Sequence, residues 1–279
     1  MAQSFLRTLI NYQKLASRRF DRLLKRDYWL DGNRDFYEDL LPKYLKPNLR
    51  VWDIGGGKRP AITPQVKQCL NLQVSGLDIS QKELDAAPQF VYDKTFCADI
   101  TTFRGKENSD LIICQALLEH VNCTRSTFTA INSILAAGGR ALIFVPCRNA
   151  LFARLNLLLP ETWKRSLLFF FYPHARGKQA FKSFYDRCTP HDFRQLAAEH
   201  KFEIEEERIY FKSSYFTFFF PLHLLWRIWV IAFRAIVKDQ AAETFSMVLR
   251  KRPYCERYHG LDPDCKTDRM EAKVSNANS

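Results

Sequence analysis

The sequence predicts an α/β fold, a doubly wound and mostly parallel sheet with helices on both faces. Seven short apolar runs with strand character are spread from residue 49 to residue 251. Segments of helical period separate the first five of them. The first run leads into "RVWDIGGGKRP", Arg50 to Pro60, where an acid is followed by three consecutive glycines. Glycine is used where a Cβ would collide or φ must be positive, so something approaches the backbone closely there. At 47% apolar residues in 279, the chain has enough material for one large domain with a full core.

From residue 1 to about residue 44, apolar and basic residues alternate at helical spacing, which predicts one or two N-terminal helices in a segment 1–45. The strand runs are "LRVWD" (49–53), "QVSGLD" (73–78), "TFCAD" (95–99), "DLIICQ" (110–115), "GRALIFVP" (139–146), "FEIEEERIY" (202–210) and "TFSMVLRK" (244–251). Helices are expected at 61–70, 80–86, 117–121 and 124–137. These elements form one domain, 46–252, and the polar stretch 253–279 reads as a loose tail. Two insertions rich in aromatics and cations, 147–188 and 211–239, leave the carboxyl ends of strands, where ligand crevices form in such sheets.

Net charge is +12, and between Arg7 and Arg26 seven cations stand against the single acid Asp21. Such a chain suits nucleic acid, an anionic membrane or an anionic substrate. The eight cysteines include no C-x-x-C pair, and several lie inside apolar runs, where free cysteine behaves as a small buried hydrophobe. No secretory pattern opens the sequence, so a reducing, cytoplasmic location without a disulfide framework is expected.

The glycine loop narrows the choice of ligand. A dinucleotide loop wants G-x-G-x-x-G, and here Gly55 and Gly57 fit but the third position is Pro60. No P-loop string occurs. Asp78 ends the second strand about 20 residues past the loop, where a carboxylate accepts ribose hydroxyl hydrogen bonds.

Together, "VWDIGGG", "VSGLDIS", "CADI", "DLIICQALLEHV" and "ILAAGGRALIFVP" resemble, in order and spacing, the motifs of the class I S-adenosylmethionine-dependent methyltransferases. The resemblance covers 49–145 and continues plausibly to 250. It implies a Rossmann-like seven-stranded sheet whose last strand is antiparallel, and S-adenosylmethionine as cofactor. It implies that Gly55, Gly56 and Gly57 face the methionine part, with Asp53 ordering the loop or meeting the amino group. It also implies Asp78 at the ribose, Asp99 and the backbone near Ile100 at the adenine, and Ile79 and Gln115 among the cofactor contacts. The cofactor carries no phosphate, so the third glycine is dispensable. The family often keeps a further glycine where this chain has Arg59, and Lys58 and Arg59 read as solvated cations.

Methyl transfer from a sulfonium needs alignment of donor and acceptor, and a base only when the acceptor loses a proton. His120 follows the fourth strand and is the candidate base, with Tyr185 and its neighbour Asp186 as further substrate contacts. Some relatives carry the metal-binding string E-x-x-E-H, but Ala116 occupies the first position here, leaving Glu119 and His120. Two ligands make an incomplete site, so no catalytic metal is expected. Thr189, Pro190 and Asp192 read as a helix start, which leaves His191 on a first turn. Cys147 follows the fifth strand and reads as structural.

Residues 215–237 are nearly apolar and long enough to span a bilayer. On a helical projection His223, Arg227, Arg234 and Lys238 fall within about 60° of one another. A narrow basic stripe on an apolar helix suits an element lying in a membrane interface better than a span, the alternatives being an apolar acceptor tunnel and a lid or dimer surface packed on the core. The stretch 166–173, preceded by Lys164 and Arg165, repeats this pattern. The expected activity is therefore O-methylation of a small hydrophobic or lipid-linked acceptor at the inner membrane surface, with peripheral contact through 211–239. The alternatives are an RNA methyltransferase, disfavoured because the cations sit among apolar runs, and a silent methyltransferase-like binding protein.

Overall fold

The computed structural model describes residues 2–158, 181–212 and 216–253. The stretch 166–173 and the tail from 254 onward lie outside the described residues. Helix α1 (Ala2–Asp21) opens the chain, and short helical turns follow from 26 to 44. The alternating part comprises β1 (Arg50–Ile54), α2 (Pro64–Cys69), β2 (Gln73–Asp78), α3 (Gln81–Asp85), β3 (Lys94–Cys97) and β4 (Ser109–Gln115). It continues with α4 (Thr124–Ile134), β5 (Leu135–Pro146), α5 (Leu151–Leu158), α6 (Pro190–Glu199), β6 (Phe202–Tyr210), α7 (Phe220–Val237) and β7 (Thr244–Lys251).

The seven strands form one sheet in the order β3-β2-β1-β4-β5-β7-β6. β1 to β5 pair in parallel, and β7 runs antiparallel to both β5 and β6. This is the Rossmann-like arrangement with a reversed last strand. The strand order reverses between β1 and β4, so a crevice opens at the carboxyl ends of these strands.

Local chemistry explains the helix starts. Thr63 accepts from Val66 N ahead of Pro64, and Ser80 accepts from Glu83 N. Thr189 accepts from Asp192 N ahead of Pro190, as the sequence indicated, and His191 is exposed on that first turn. Helix α4 has no local cap, and Asp186 supplies one from 62 residues away by accepting from Thr124 N at 2.8 Å. All four expected helices are shorter than their apolar pattern, 61–70 and 80–86 being trimmed to α2 and α3. The 117–121 segment is a single 3-10 turn, Leu118–His120. The 124–137 helix stops at Ile134 because Leu135 already pairs with Ser109 in the sheet.

Both sheet faces are covered. One carries Phe128 and Ile131 of α4 and Phe193 and Leu196 of α6 against Ile112, Ile143 and Phe245. The other buries Phe36, Leu40 and Leu41, from the segment before β1, against Val51, Leu142 and Tyr210. The contact is close. A Cβ on Gly32 would lie 2.6 Å from both the Tyr210 ring and Thr244 Oγ1.

Helix α7 differs from its sequence projection. His223 and Arg227 are fully buried, where a headgroup-facing stripe would leave them exposed. Their partner is the buried Asp21, which accepts from Arg227 Nε at 2.7 Å and lies 2.9 Å from His223 Nε2. Arg227 Nη1 also donates to the Phe211 carbonyl at 2.8 Å, and the guanidinium lies over the Trp226 ring. Arg234 reaches Asp27 and stacks on Phe211, while Lys238 is exposed. Asp21, the single acid between Arg7 and Arg26, therefore draws the stripe inward.

Candidate active site

The site is built where the parallel strands end. Asp53 stands opposite Gly76 of β2 and Ile113 of β4, and the following Gly55 N–H donates to Leu77 O at 2.7 Å. Gly55 has φ +79°, and a Cβ there would meet Leu117 at 2.7 Å. At Gly56 the same atom would lie 2.5 Å from the Asp53 carboxylate. The loop is therefore glycine because Leu117 presses on one side and Asp53 fills the space beneath.

Asp53 itself is buried. Its Oδ2 accepts from Ala61 N at 2.8 Å and lies 3.3 Å from Tyr92 Oη, which is also 3.3 Å from the Gly57 carbonyl. Burial pushes its carboxyl up to about 6. These are the bonds of a loop-ordering group, and Asp53, Gly56 and Gly57 do not line the cavity. Tyr92 completes this tie and carried no sequence signal, because a tyrosine in a loop between strands has no distinguishing spacing. Lys58 pairs with Glu83 at 2.8 Å.

The cavity has a volume of about 390 Å³ and is walled by the ends of β1, β2 and β3, the turn after β4 and the segment 181–184. Asp78 and Asp99 line it together with Gly55, Ile79, Ile100 and His120. Asp78 is 8% exposed, its Oδ1 accepts from Ser80 N at 2.9 Å, and burial raises its carboxyl. Asp99 Oδ1 accepts from Thr101 N and Thr101 Oγ1, each at 2.8 Å. Ile79 is 60% exposed into this space, whereas Ile100 is buried in its wall.

Two further expected site residues stand away from the cavity. Gln115 Nε2 donates to Asn33 Oδ1 at 2.7 Å and is not part of the cavity wall. Tyr185 is 4% exposed, packs in the core and does not line the cavity. Its neighbours Phe181, Lys182 and Phe184 do. They were missed because a chain returning from a long insertion has no period from which facing can be read.

His120 is held by its surroundings. Its Nδ1 lies 3.1 Å from the Lys182 carbonyl, so Nδ1–H donates there and Nε2 is left as the basic nitrogen. Burial lowers its pKa below the ordinary histidine value, so the ring is neutral at neutral pH. The adjacent Glu119 is 5% exposed with Oε2 unpartnered, and burial pushes its carboxyl up to about 8. A raised carboxyl stabilises the fold below its unfolded value and loses that contribution as pH rises through its folded value. The Glu119→Gln variant is therefore expected to lose the stability decline, on the order of 5 kcal/mol, that the parent shows between about pH 4.5 and 8. Thermal melts across that range check it.

Among the described residues no group of three or more histidine, cysteine, aspartate or glutamate side chains gathers as a metal site.

The sequence model of a family described as methyltransferase domain matches residues 20–207. The chain belongs to this methyltransferase family. No curated protein matches it. Among solved structures, this methyltransferase is similar to a chain of the complex between the Haloferax volcanii Trm112 methyltransferase activator and a methyltransferase, at 12% identity and TM-score 0.54, over 79% of this chain and 90% of that one. It is also similar to the (4+2) cyclase SpnF, at 14% identity and TM-score 0.50, over 81% and 86% of the two chains. Geranyl diphosphate C-methyltransferase from Streptomyces coelicolor A3(2), solved with S-adenosyl-L-homocysteine, Mg2+ and geranyl diphosphate, matches at 11% identity and TM-score 0.49, over 78% and 79%. The family match makes the chain a methyltransferase enzyme, and its expected methyl donor is S-adenosylmethionine.

The residues present fit that cofactor. Gly55, which has no room for a Cβ, lies beside two carboxylates and two isoleucines at the switch point of the sheet. Asp78 would hold the ribose hydroxyls and Asp99 the adenine edge, with Ile79 and Ile100 against the ring. The Asp78→Ala variant is expected to bind S-adenosylhomocysteine about a hundredfold more weakly, from loss of two charge-assisted hydrogen bonds. Titration calorimetry measures this, with a melt to verify the fold.

Proposed function

We propose that the methyltransferase methylates an oxygen of a small hydrophobic or lipid-linked acceptor, presented at the cytoplasmic face of a membrane. The observation that carries this reading is the composition of the cavity. Carboxylates stand at its β2 and β3 side, and Leu117, Val121, Phe181 and Phe184 surround His120 on the other. An apolar acceptor loses water on entering such a wall, while a phosphate-rich one finds Lys182 as the one lysine or arginine among the described lining residues.

When bound, S-adenosylmethionine supplies a methyl group on a positively charged sulfur that leaves without protonation. The protein's own work is alignment and proton removal. Gly55 and Asp53 fix the loop, Asp78 and Asp99 set the position of the donor, and the neutral Nε2 of His120 takes the hydroxyl proton. The exclusion of water by the apolar wall keeps the acceptor oxygen the reacting nucleophile.

Incubation of the protein with methyl-labelled S-adenosylmethionine and either total membrane extract or total RNA tests the acceptor class. Label is expected in the organic-solvent phase. Label in RNA alone would overturn the reading.

A further inference from the structure

We infer that α7, held beside α1, is an inside-out helix that seats this enzyme in the plane of an anionic bilayer. The inference deepens the proposed function and rests on its membrane-side reading.

Every exposed residue from 219 to 237 is apolar, whereas His223 and Arg227 point inward. The outer face carries Leu222, Leu225, Ile228, Trp229, Ile231 and Ile236, from 37% to 80% exposed. A water-facing helix has the opposite order, with polar groups outward. By length and composition the stretch Phe220–Ala241 could cross a membrane, with mean hydropathy 1.5 and 22% of it buried. The buried Asp21–His223–Arg227 cluster favours a helix lying flat, because a spanning helix would carry Arg227 away from its carboxylate.

The charge of the occupant follows from α1 and the turn after it. Arg7, Arg18, Arg19, Arg22 and Lys25 are exposed and have no acidic partner among the described residues. The one acid of this stretch, Asp21, is turned inward. Phe5, Leu9 and Tyr12 are 73%, 45% and 67% exposed on the same helix. Cations beside exposed aromatics and aliphatics match anionic headgroups above acyl chains. A second copy of this chain would bring the same cations against themselves.

Flotation of the full chain with phosphatidylcholine vesicles, with and without phosphatidylglycerol, tests this. Binding is expected only with phosphatidylglycerol at low salt. The Leu225→Gln/Ile228→Gln variant is expected to bind at least about tenfold more weakly. Arg19→Gln and Arg22→Gln are expected to cost about fivefold each. All variants are expected to keep S-adenosylhomocysteine binding, which separates loss of the surface from loss of the fold. Failure of the parent chain to float overturns the inference, and most directly so if it is a dimer that Leu225→Gln/Ile228→Gln makes monomeric. Resistance of the bound protein to alkaline extraction overturns the in-plane mode. If vesicles bind but S-adenosylhomocysteine does not, the surface stands and the proposed function fails.

Discussion

The Asp21→Ala variant is expected to lose about 3–5 kcal/mol of stability, a fall of about 10 °C in melting temperature. Asp21 is 4% exposed and is the acidic partner of two fully buried side chains, His223 and Arg227. Its removal leaves a guanidinium in the interior with the Phe211 carbonyl as its remaining hydrogen-bond acceptor. An uncompensated buried charge costs more than the pair contributes, so replacing both partners has a different outcome. Asp21→Leu with Arg227→Met is expected to recover most of the loss, because apolar groups of similar volume need no partner.

The pH dependence of this difference follows from the carboxyl. Burial acts to raise the Asp21 pKa, but hydrogen bonds from His223 and Arg227 and their charge outweigh it, and the value is lowered. A depressed carboxyl contributes stability above its unfolded value and loses it as pH falls through the folded one. The gap between parent and Asp21→Ala is therefore full near neutrality and closes below about pH 4. Denaturant titrations at several pH values measure it.

The His120→Ala variant is expected to lose about 10²- to 10⁴-fold in kcat while S-adenosylhomocysteine affinity stays within about twofold. The ring lines the cavity and is fixed through Nδ1 to the Lys182 carbonyl, which leaves Nε2, 3.8 Å from the Glu119 carboxyl, as its basic nitrogen. Because burial lowers the pKa of the ring, activity is expected to hold to a pH below the ordinary histidine value and then to fall. The His120→Asn variant, which can still donate a hydrogen bond but cannot act as a base, is expected to match His120→Ala. Loss of affinity without loss of kcat in both variants would assign His120 to binding alone.

The sheet was legible because most strands are apolar runs ended by an acid, a proline or a turn, while β6 alternates apolar and charged residues at its ends. β2, β6 and β7 begin and end at the residues that the pattern marks. That Asp78, Asp99, Ile79 and Ile100 line one cavity was legible for the same reason, since they follow strand ends, where position in sequence fixes position in space. Tyr185 and Gln115 could not be placed that way. The turn that carries Tyr185 takes a left-handed backbone, φ +51°, which sends the side chain into the core. Gln115 is drawn to Asn33, 82 residues earlier, and no local pattern announces such a pairing. The stripe on α7 was visible as a stripe, but its direction was set by Asp21, about two hundred residues away in sequence. Periodicity shows which residues share a face. It does not say whether that face looks inward.

Titration calorimetry of the parent chain with S-adenosylhomocysteine and, separately, with NAD tests most directly whether the glycine loop and Asp78 form a methyl-donor site. Stoichiometric binding of S-adenosylhomocysteine, with no heat from NAD, is the predicted result. A folded sample that binds NAD, or binds neither ligand in the presence or absence of anionic vesicles, would contradict it.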